Sequence, residues 1–163
     1  QADPDMAAAA AETGAGLVLM HMQGTPQTMQ LSPGYSDVVR EIQDCLRVSM
    51  GAAVAAGVAM EAIALDPGIG FGKTMEHNLT VLRQAGSFGL EGRPVLLGVS
   101  RKSFIGRILN DSDPAAREWP TVALTSYARE KGVRILRVHE VLKNVQALRM
   151  TEAILGRGET GIP

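Results

Sequence analysis

Residues 65–73 read LDPGIGFGK, and the interpretation of the whole chain depends on them. They follow on from an apolar run at positions 62–65, which ends in a carboxylate, Asp66. Three glycines then alternate with other residues, at Gly68, Gly70 and Gly72. This pattern is typical of a buried strand that ends in an acid and leads into a tight loop, where the backbone can closely approach a ligand. Taken alone, the pattern fits a glycine-rich turn after a core strand equally well.

An apolar run followed by a cluster of functional side chains occurs four times in the chain. The predicted strands are 17–20, 62–65, 94–99 and 134–139. The predicted helices are about 3–13, 36–56, 75–85, 104–109, 120–131 and 142–155, with Pro4 in the first turn of the first helix. Buried strands that alternate with helices predict an α/β fold with a parallel sheet. Both a doubly wound sheet and a TIM (β/α)8 barrel fit, and strand counting favours the open sheet because a barrel needs eight strands and about 250 residues.

The composition limits the possible partners and the location. The 163 residues are 45% hydrophobic and 20% charged, which is ordinary for one globular domain. With 16 basic and 17 acidic residues the net charge is −1, so we expect no nucleic-acid partner and no anionic membrane surface. The single Cys45 excludes an internal disulfide and fits a reducing, cytoplasmic location. No apolar run approaches the roughly 20 residues of a membrane span.

Candidate functional side chains stand at the C-terminal end of each predicted strand. They are Met20, His21 and Gln23 at the first strand, Asp66 at the second, Ser100, Arg101 and Lys102 at the third, and Arg137 and His139 at the fourth. Because parallel strands end at one edge of a sheet, these side chains are expected to converge. Ligands bind at that edge in both candidate architectures.

The chemical types of these side chains indicate the ligand. Asp66 would be costly to bury unless paired N–H groups of a ligand met its oxygens. Lys102 supplies a compact positive donor for a carbonyl oxygen or a ring nitrogen. Arg137 and His139 are two residues apart on one strand and would form an anion site, although a surface arginine beside a structural histidine is the alternative. Phe71 either lies against a flat ligand or anchors its loop.

Several familiar motifs are excluded. GIGFGK has the wrong spacing for a Walker phosphate loop and lacks the third glycine of the dinucleotide motif. No histidines and carboxylates have the spacing of a structural metal site. GVSRK does not match G-x-S-x-G, so Ser100 is not predicted to be a hydrolase nucleophile. His21 is predicted to be a structural histidine, and His77 a surface or capping residue.

Four blocks of the sequence resemble successive blocks of dihydropteroate synthases. They are MHMQGTPQTMQ at 20–30, LDPGIGFGK at 65–73, GVSRKSFIG at 98–106 and RVHEV at 137–141, in matching order and at matching separations. The resemblance implies a TIM (β/α)8 barrel of the pterin-binding type, which replaces the open sheet. Residues 1–163 would be the C-terminal half of this single barrel domain, with four βα units preceded by a helix. The family's first-half ligands for pterin and metal are not in this sequence.

The resemblance implies a transferase of folate biosynthesis. Such an enzyme joins 6-hydroxymethyl-7,8-dihydropterin diphosphate to p-aminobenzoate and releases diphosphate, with Mg²⁺ assisting and sulfonamides competing. Diphosphate leaves, the pterin methylene becomes cationic and the arylamine attacks it, so no side chain becomes covalently attached. The main metal ligand is expected in the missing half and none in this chain. The full-length protein is expected to be a homodimer.

The resemblance also assigns pterin contacts to residues of this sequence. Asp66 would accept hydrogen bonds from the 2-amino group and a ring N–H. Met20 would pack under the pterin ring at the bottom of its binding slot, and Gly70 would let the ring approach the backbone. Lys102 would bond the pterin carbonyl and border the p-aminobenzoate site. Arg137 would contact both the pterin and the diphosphate.

The remaining contacts concern the second substrate and the leaving group. Phe71 and Ser100, together with Lys102, would line the p-aminobenzoate pocket. His139 would hold the departing diphosphate beside Arg137, and Lys102, Arg137 and His139 are the catalytic candidates.

Two other interpretations stay open. A methyltetrahydrofolate-dependent methyltransferase shares an acid-lined pterin slot, but the SRKSF and RVH blocks speak against it. A non-catalytic half-barrel is the other, since half of the site is absent from the sequence.

Overall fold

The computed structural model describes Asp3 and residues 5–157. The predicted role of Pro4 in the first helix lies outside the described residues. The strands are β1 (Leu17–Met20), β2 (Ile63–Asp66), β3 (Leu96–Leu97) and β4 (Ile135–Leu136). The helices are α1 (Met6–Thr13), α2 (Val38–Ala55), α3 (Met75–Arg83), α4 (Ser103–Leu109), α5 (Glu118–Glu130) and α6 (Val141–Ile154). This alternation confirms the predicted α/β class.

The four strands run parallel in the order of the chain. β1 pairs with β2, and β3 pairs with β4. An isolated parallel bridge between Leu65 and Val95 joins the two pairs. The order 1-2-3-4 lacks the reversal that marks the switch point of a doubly wound sheet. All four C-terminal ends therefore lie at one edge, as the positions of the candidate side chains require.

The two faces of the sheet differ in burial. Leu65 and Leu97 are fully buried and share one hydrophobic core with Ile42 of α2. Successive strand residues point to opposite faces. On the other face Val18 is 48% exposed and Ile135 is 38% exposed. One face is thus packed against helices, and the open face carries apolar side chains that this chain leaves partly uncovered.

Local chemistry explains where the elements differ from the predicted boundaries. The third strand was predicted from position 94, but Pro94 has no N–H to give to a neighbouring strand, and regular pairing is limited to Leu96–Leu97. Helix α5 begins at Glu118, so Pro120 lies within its first turn, where a missing N–H leaves no intrahelical bond unmade. Within the described part of the chain, no helix has the length and apolar character needed to cross a membrane.

Candidate active site

Met20 and Asp66 stand side by side at the ends of β1 and β2. Their Cα positions are register partners, so both side chains belong to the open face of the sheet. Met20 is half-buried and Asp66 is only 5% exposed. A buried acid therefore lies beside a flexible apolar side chain at the edge where ligands bind in parallel sheets.

The Asp66 carboxylate is only partly satisfied by the protein. Its Oδ1 accepts a hydrogen bond from the Gly68 N–H at 2.7 Å. No donor among the described residues hydrogen-bonds to Oδ2. Burial raises the pKa of Asp66, while the Gly68 N–H and the charges of Arg137, Lys102 and Lys73 counteract the rise. The group has one oxygen to offer to a ligand, and three cations favour its ionised form.

Lys102 lies over the glycine loop, which we define as residues 67–72. Its Nζ is 4.0 Å from the centre of the Phe71 ring. Gly70 has φ +81, and a Cβ built there would lie 3.2 Å from Lys102 Cδ, so a side chain at position 70 would press against the lysine. Burial lowers the pKa of Lys102, as does Arg137, while Asp66 raises it. Gly70, Phe71, Lys102 and Asp66 thus belong to one cluster, as the sequence predicts.

Arg137 and His139 form the other edge of this cluster. The Arg137 N–H donates to Leu97 O at 3.0 Å, which extends the pairing of β3 and β4. The guanidinium packs on Gly98, where a built Cβ would lie 3.0 Å from Nη2. His139 Nδ1 is 2.8 Å from Ser100 Oγ, so the serine hydroxyl is already engaged. Both Arg137 and His139 are exposed.

Several groups that hold the site were missed by sequence reasoning. Asn78 Oδ1 accepts from the Gly70 N–H at 2.7 Å, and the Tyr35 hydroxyl donates to Gly72 O at 2.7 Å. Lys73, which stands in the sequence only as the last residue of its motif, is 3% exposed. Its place in LDPGIGFGK was the one available signal, because nothing in the sequence marks a lysine as buried. The predicted capping role of His77 is confirmed, since it forms a capping box with Thr74.

A cavity of about 520 Å³ opens beside the glycine loop. Its lining includes Gln30, Gly70, Asn78, Ser103, Phe104 and Arg107. The volume is within the range of small-molecule sites. The whole lining contributes two cations (Lys73 and Arg107), two hydroxyls and one aromatic ring, which make the cavity chemically suitable for a small aromatic acid.

The described residues do not fit a magnesium site by themselves. Among them there is no group of three or more His, Cys, Asp or Glu side chains able to hold a metal ion. Asp66 is the acid of the cluster, and it interacts with three cations. Magnesium binds through several oxygen ligands. The described residues alone therefore offer a magnesium ion too few oxygen ligands.

Comparison with known proteins gives the family. The family model of pterin binding enzymes matches residues 1–139, which is most of the chain. The chain belongs to the pterin-binding enzymes. The chain is 44% identical over 146 residues to the dihydropteroate synthase of Neisseria meningitidis serogroup C, a match that covers 89% of this chain and 52% of that protein.

Solved structures agree with this assignment. The Yersinia pestis dihydropteroate synthase in complex with a sulfonamide drug superposes with a TM-score of 0.91 at 40% identity, over 94% of this chain and 56% of that chain. The Thermus thermophilus dihydropteroate synthase in complex with 6HMPPP superposes with a TM-score of 0.88 at 44% identity, over 94% of this chain and 61% of that chain. The chain thus spans between one half and two thirds of the length of these relatives.

Proposed function

We propose that this chain is the C-terminal half of a dihydropteroate synthase barrel. In the complete enzyme it would condense 6-hydroxymethyl-7,8-dihydropterin diphosphate with p-aminobenzoate to give 7,8-dihydropteroate and diphosphate. The observation that carries this proposal is the cluster formed by the buried Asp66, the partly buried Lys102 and the exposed Arg137 at the C-terminal edge of the sheet. An acid for paired N–H groups, a lysine for a carbonyl and an arginine for an anion suit a pterin with a charged tail.

The proposed pterin contacts follow from the burial of each group. Asp66 Oδ1 already holds the Gly68 N–H, so Oδ2 faces the 2-amino group and the ring N–H of the pterin. Met20 lies under the ring, and Gly70 allows the ring to approach the backbone. Lys102 donates to the pterin carbonyl. The low exposure of Asp66 means that bound pterin replaces little water there, so a lost N–H···O bond would leave a buried charge unpaired.

The leaving group and the arylamine would lie on either side of Lys102. Arg137 and His139 would stabilise the departing diphosphate, and their exposure leaves room for a bulky anion. Phe71 lies against Lys102 and would line the p-aminobenzoate pocket, next to the 520 Å³ cavity. Ser100 would act through His139, because its hydroxyl is bonded to that ring. The protein thus positions the reactants and stabilises charge.

The open face of the sheet supports the half-barrel part of the proposal. Val18 and Ile135 are apolar and partly exposed, and they lie on the same face as Asp66. In a closed barrel this face is the filled interior. The missing half would cover it and supply further substrate contacts. Magnesium, a cytoplasmic location and a homodimer stay predictions for the complete enzyme.

The partly uncovered apolar face of the sheet also favours a second candidate, a half-barrel without catalytic activity. A chain that leaves its interior face uncovered and lacks half of the family's ligands would bind pterin weakly and turn over slowly. We therefore expect the isolated 163 residues to be an inefficient catalyst. Substantial dihydropteroate formation by the purified chain would contradict this expectation.

The proposed function can be tested in a fusion protein that contains both halves of the barrel. The first half of the Neisseria meningitidis dihydropteroate synthase is fused before residue 1 to give a completed barrel, which is assayed for dihydropteroate formation and for pterin diphosphate binding by calorimetry. Val18→Cys provides a control, because a thiol-specific reagent should label it in the isolated chain and not in the completed barrel. A barrel that protects position 18 but neither binds pterin diphosphate nor forms dihydropteroate would refute the proposed function.

A further inference from the structure

Every carbonyl from Gly70 to Gly72, and that of Gly68, accepts a hydrogen bond from a side chain. The donors are Lys73 to Gly68 O and Phe71 O, Gln30 to Gly70 O, and Tyr35 to Gly72 O. Loop carbonyls commonly bond to water, so this degree of side-chain bonding needs a reason. Lys73 alone supplies two of the four bonds, and it is the donor that is buried.

The Lys73 ammonium makes three close polar contacts. Its Nζ is 2.9 Å from Gly68 O, 3.1 Å from Phe71 O and 3.0 Å from His21 Nδ1. An ammonium has three donors and no acceptor, so these three partners satisfy it completely. Burial lowers the pKa of Lys73 to about 7, with Lys102 also lowering it and Asp66 and Cys45 opposing. A lysine that is costly to bury thus lies in direct contact with the glycine loop.

His21 joins this lysine to the end of β1. It is 6% exposed, and its N–H donates to Asp66 O at 2.9 Å. Its carbonyl passes so close to Gly68, which has φ +71, that a Cβ there would overlap it. Burial, together with the charge of Lys73, lowers the pKa of His21 to about 4, so the ring is neutral near pH 7 and its Nδ1 can accept from Nζ.

We propose that Lys73 is a positioning residue of the pterin site, in which its ammonium, anchored by His21, fixes the glycine loop. Fixing the carbonyls of Gly68 and Phe71 sets where the Phe71 ring meets Lys102. It also sets the backbone at Gly70 that bound pterin would approach. The catalytic meaning of this inference rests on the proposed function, but the constraint on the loop can be measured without it.

The first test is amide hydrogen exchange of the full 163-residue chain, followed by NMR at about pH 6, below the pKa of Lys73 and above that of His21, where the lysine is an ammonium and the imidazole is neutral. The probe is the Phe71 N–H, which donates to Gly68 O at 3.1 Å within the loop. Lys73→Met keeps the length of the side chain and removes the donors, and Lys131→Met makes the same change at an exposed site. We expect Phe71 exchange to accelerate about tenfold or more in Lys73→Met, the range for loss of charge-assisted hydrogen bonds, and to change less than about twofold in the control.

Two variants of His21 test the same contact without changing Lys73, in case Lys73→Met does not fold. His21→Gln keeps a side-chain acceptor for Nζ, whereas His21→Leu removes it, and circular dichroism checks that both fold. We expect faster Phe71 exchange in His21→Leu and recovery toward the original rate in His21→Gln. Equal rates in the two variants, or a Phe71 rate in folded Lys73→Met within about twofold of the original, would overturn the proposal.

The last measurement separates positioning from a merely structural role. Calorimetry on the completed barrel compares 6-hydroxymethylpterin diphosphate binding to the original sequence and to Lys73→Met. We expect affinity to fall about fivefold with a melting temperature close to the original, since the buried charge is costly to keep. Faster exchange with unchanged affinity would overturn the positioning role. Absence of pterin binding by the original sequence would instead count against the proposed function, and the exchange data would still decide the loop constraint.

Discussion

The ends of the two strand pairs are built in contrasting ways. At the β1–β2 end, both strands are four residues long, Asp66 is 5% exposed, and the glycine loop is held by Lys73, Gln30 and Tyr35. At the β3–β4 end, each strand is two residues long, and Arg137 and His139 are exposed. The protein fixes the end that would recognise a heterocycle and leaves the end that would hold an anion open to water.

The difference follows from what each part of the ligand requires. Paired N–H groups are recognised by direction, so the acceptor must be placed before binding, and its burial makes a mismatch costly. A diphosphate is recognised mainly by charge, which exposed cations supply over a range of geometries and which salt screens. Changes at the β1–β2 end should therefore have larger effects than changes at the β3–β4 end.

The largest effect is expected from Asp66→Asn in the completed barrel. The asparagine can keep an oxygen for the Gly68 N–H, but it replaces the carboxylate oxygen proposed to receive the pterin N–H groups. We expect pterin diphosphate affinity to fall about 10³-fold, because two charge-assisted hydrogen bonds are lost. The melting temperature should stay the same or rise, since burial raises the pKa of Asp66 and the ionised acid is therefore costly. Calorimetry that gives unchanged affinity would reject the role of Asp66.

The next largest effect is expected on the free energy of unfolding at acid pH, through His21 at the β1–β2 end. The pKa of His21 is lowered to about 4, by burial first and then by Lys73, with Glu41 opposing. Between pH 6.5 and 4 the unfolded chain binds a proton at His21 that the folded chain does not, so stability falls as the pH falls. The loss is on the order of 3 kcal/mol. Denaturant unfolding across this window should show a weaker pH dependence for His21→Gln, and identical profiles would contradict the assignment.

A smaller effect is expected from Arg137→Ala at the open end. We expect the affinity for the pterin diphosphate ester to fall about tenfold, and the affinity for the corresponding pterin alcohol to change less than about twofold. Added salt should reduce the difference, because the arginine is exposed. Calorimetry with both ligands at two salt concentrations measures this. Equal losses for ester and alcohol would mean that the anion site lies elsewhere.

The smallest effect is expected from Ser100→Ala. Its hydroxyl contacts His139 Nδ1 and receives the His139 N–H, so its loss should loosen an exposed histidine without exposing a buried charge. We expect the Michaelis constant for p-aminobenzoate and the turnover number of the completed barrel to change about two- to threefold, the size of one neutral hydrogen bond. A loss comparable with that of Asp66→Asn would contradict the contrast between the two ends.

The sequence was informative about the edge of the sheet and much less so about what holds it. Apolar runs ending in Asp66, Lys102 and Arg137 predict convergence because parallel strands share a direction, and the structure brings these three groups together. The partners of Lys73 could not be predicted, since His21 lies 52 residues away in the chain. Its bonds to the carbonyls of Gly68 and Phe71 are local, but they depend on the backbone conformation of the glycine loop, which the sequence does not specify. Strand counting favours an open sheet because the chain has four predicted strands and a complete barrel needs eight. The count is misleading because the chain spans only about half of its relatives' length.

The most direct test is a crystal structure of the completed barrel with bound 6-hydroxymethylpterin diphosphate. We expect the 2-amino group and a ring N–H within hydrogen-bond distance of Asp66, the pterin carbonyl on Lys102, and the diphosphate between Arg137 and His139. A pterin bound away from Asp66, or reversed so that its charged tail points to the glycine loop, would contradict the central claim.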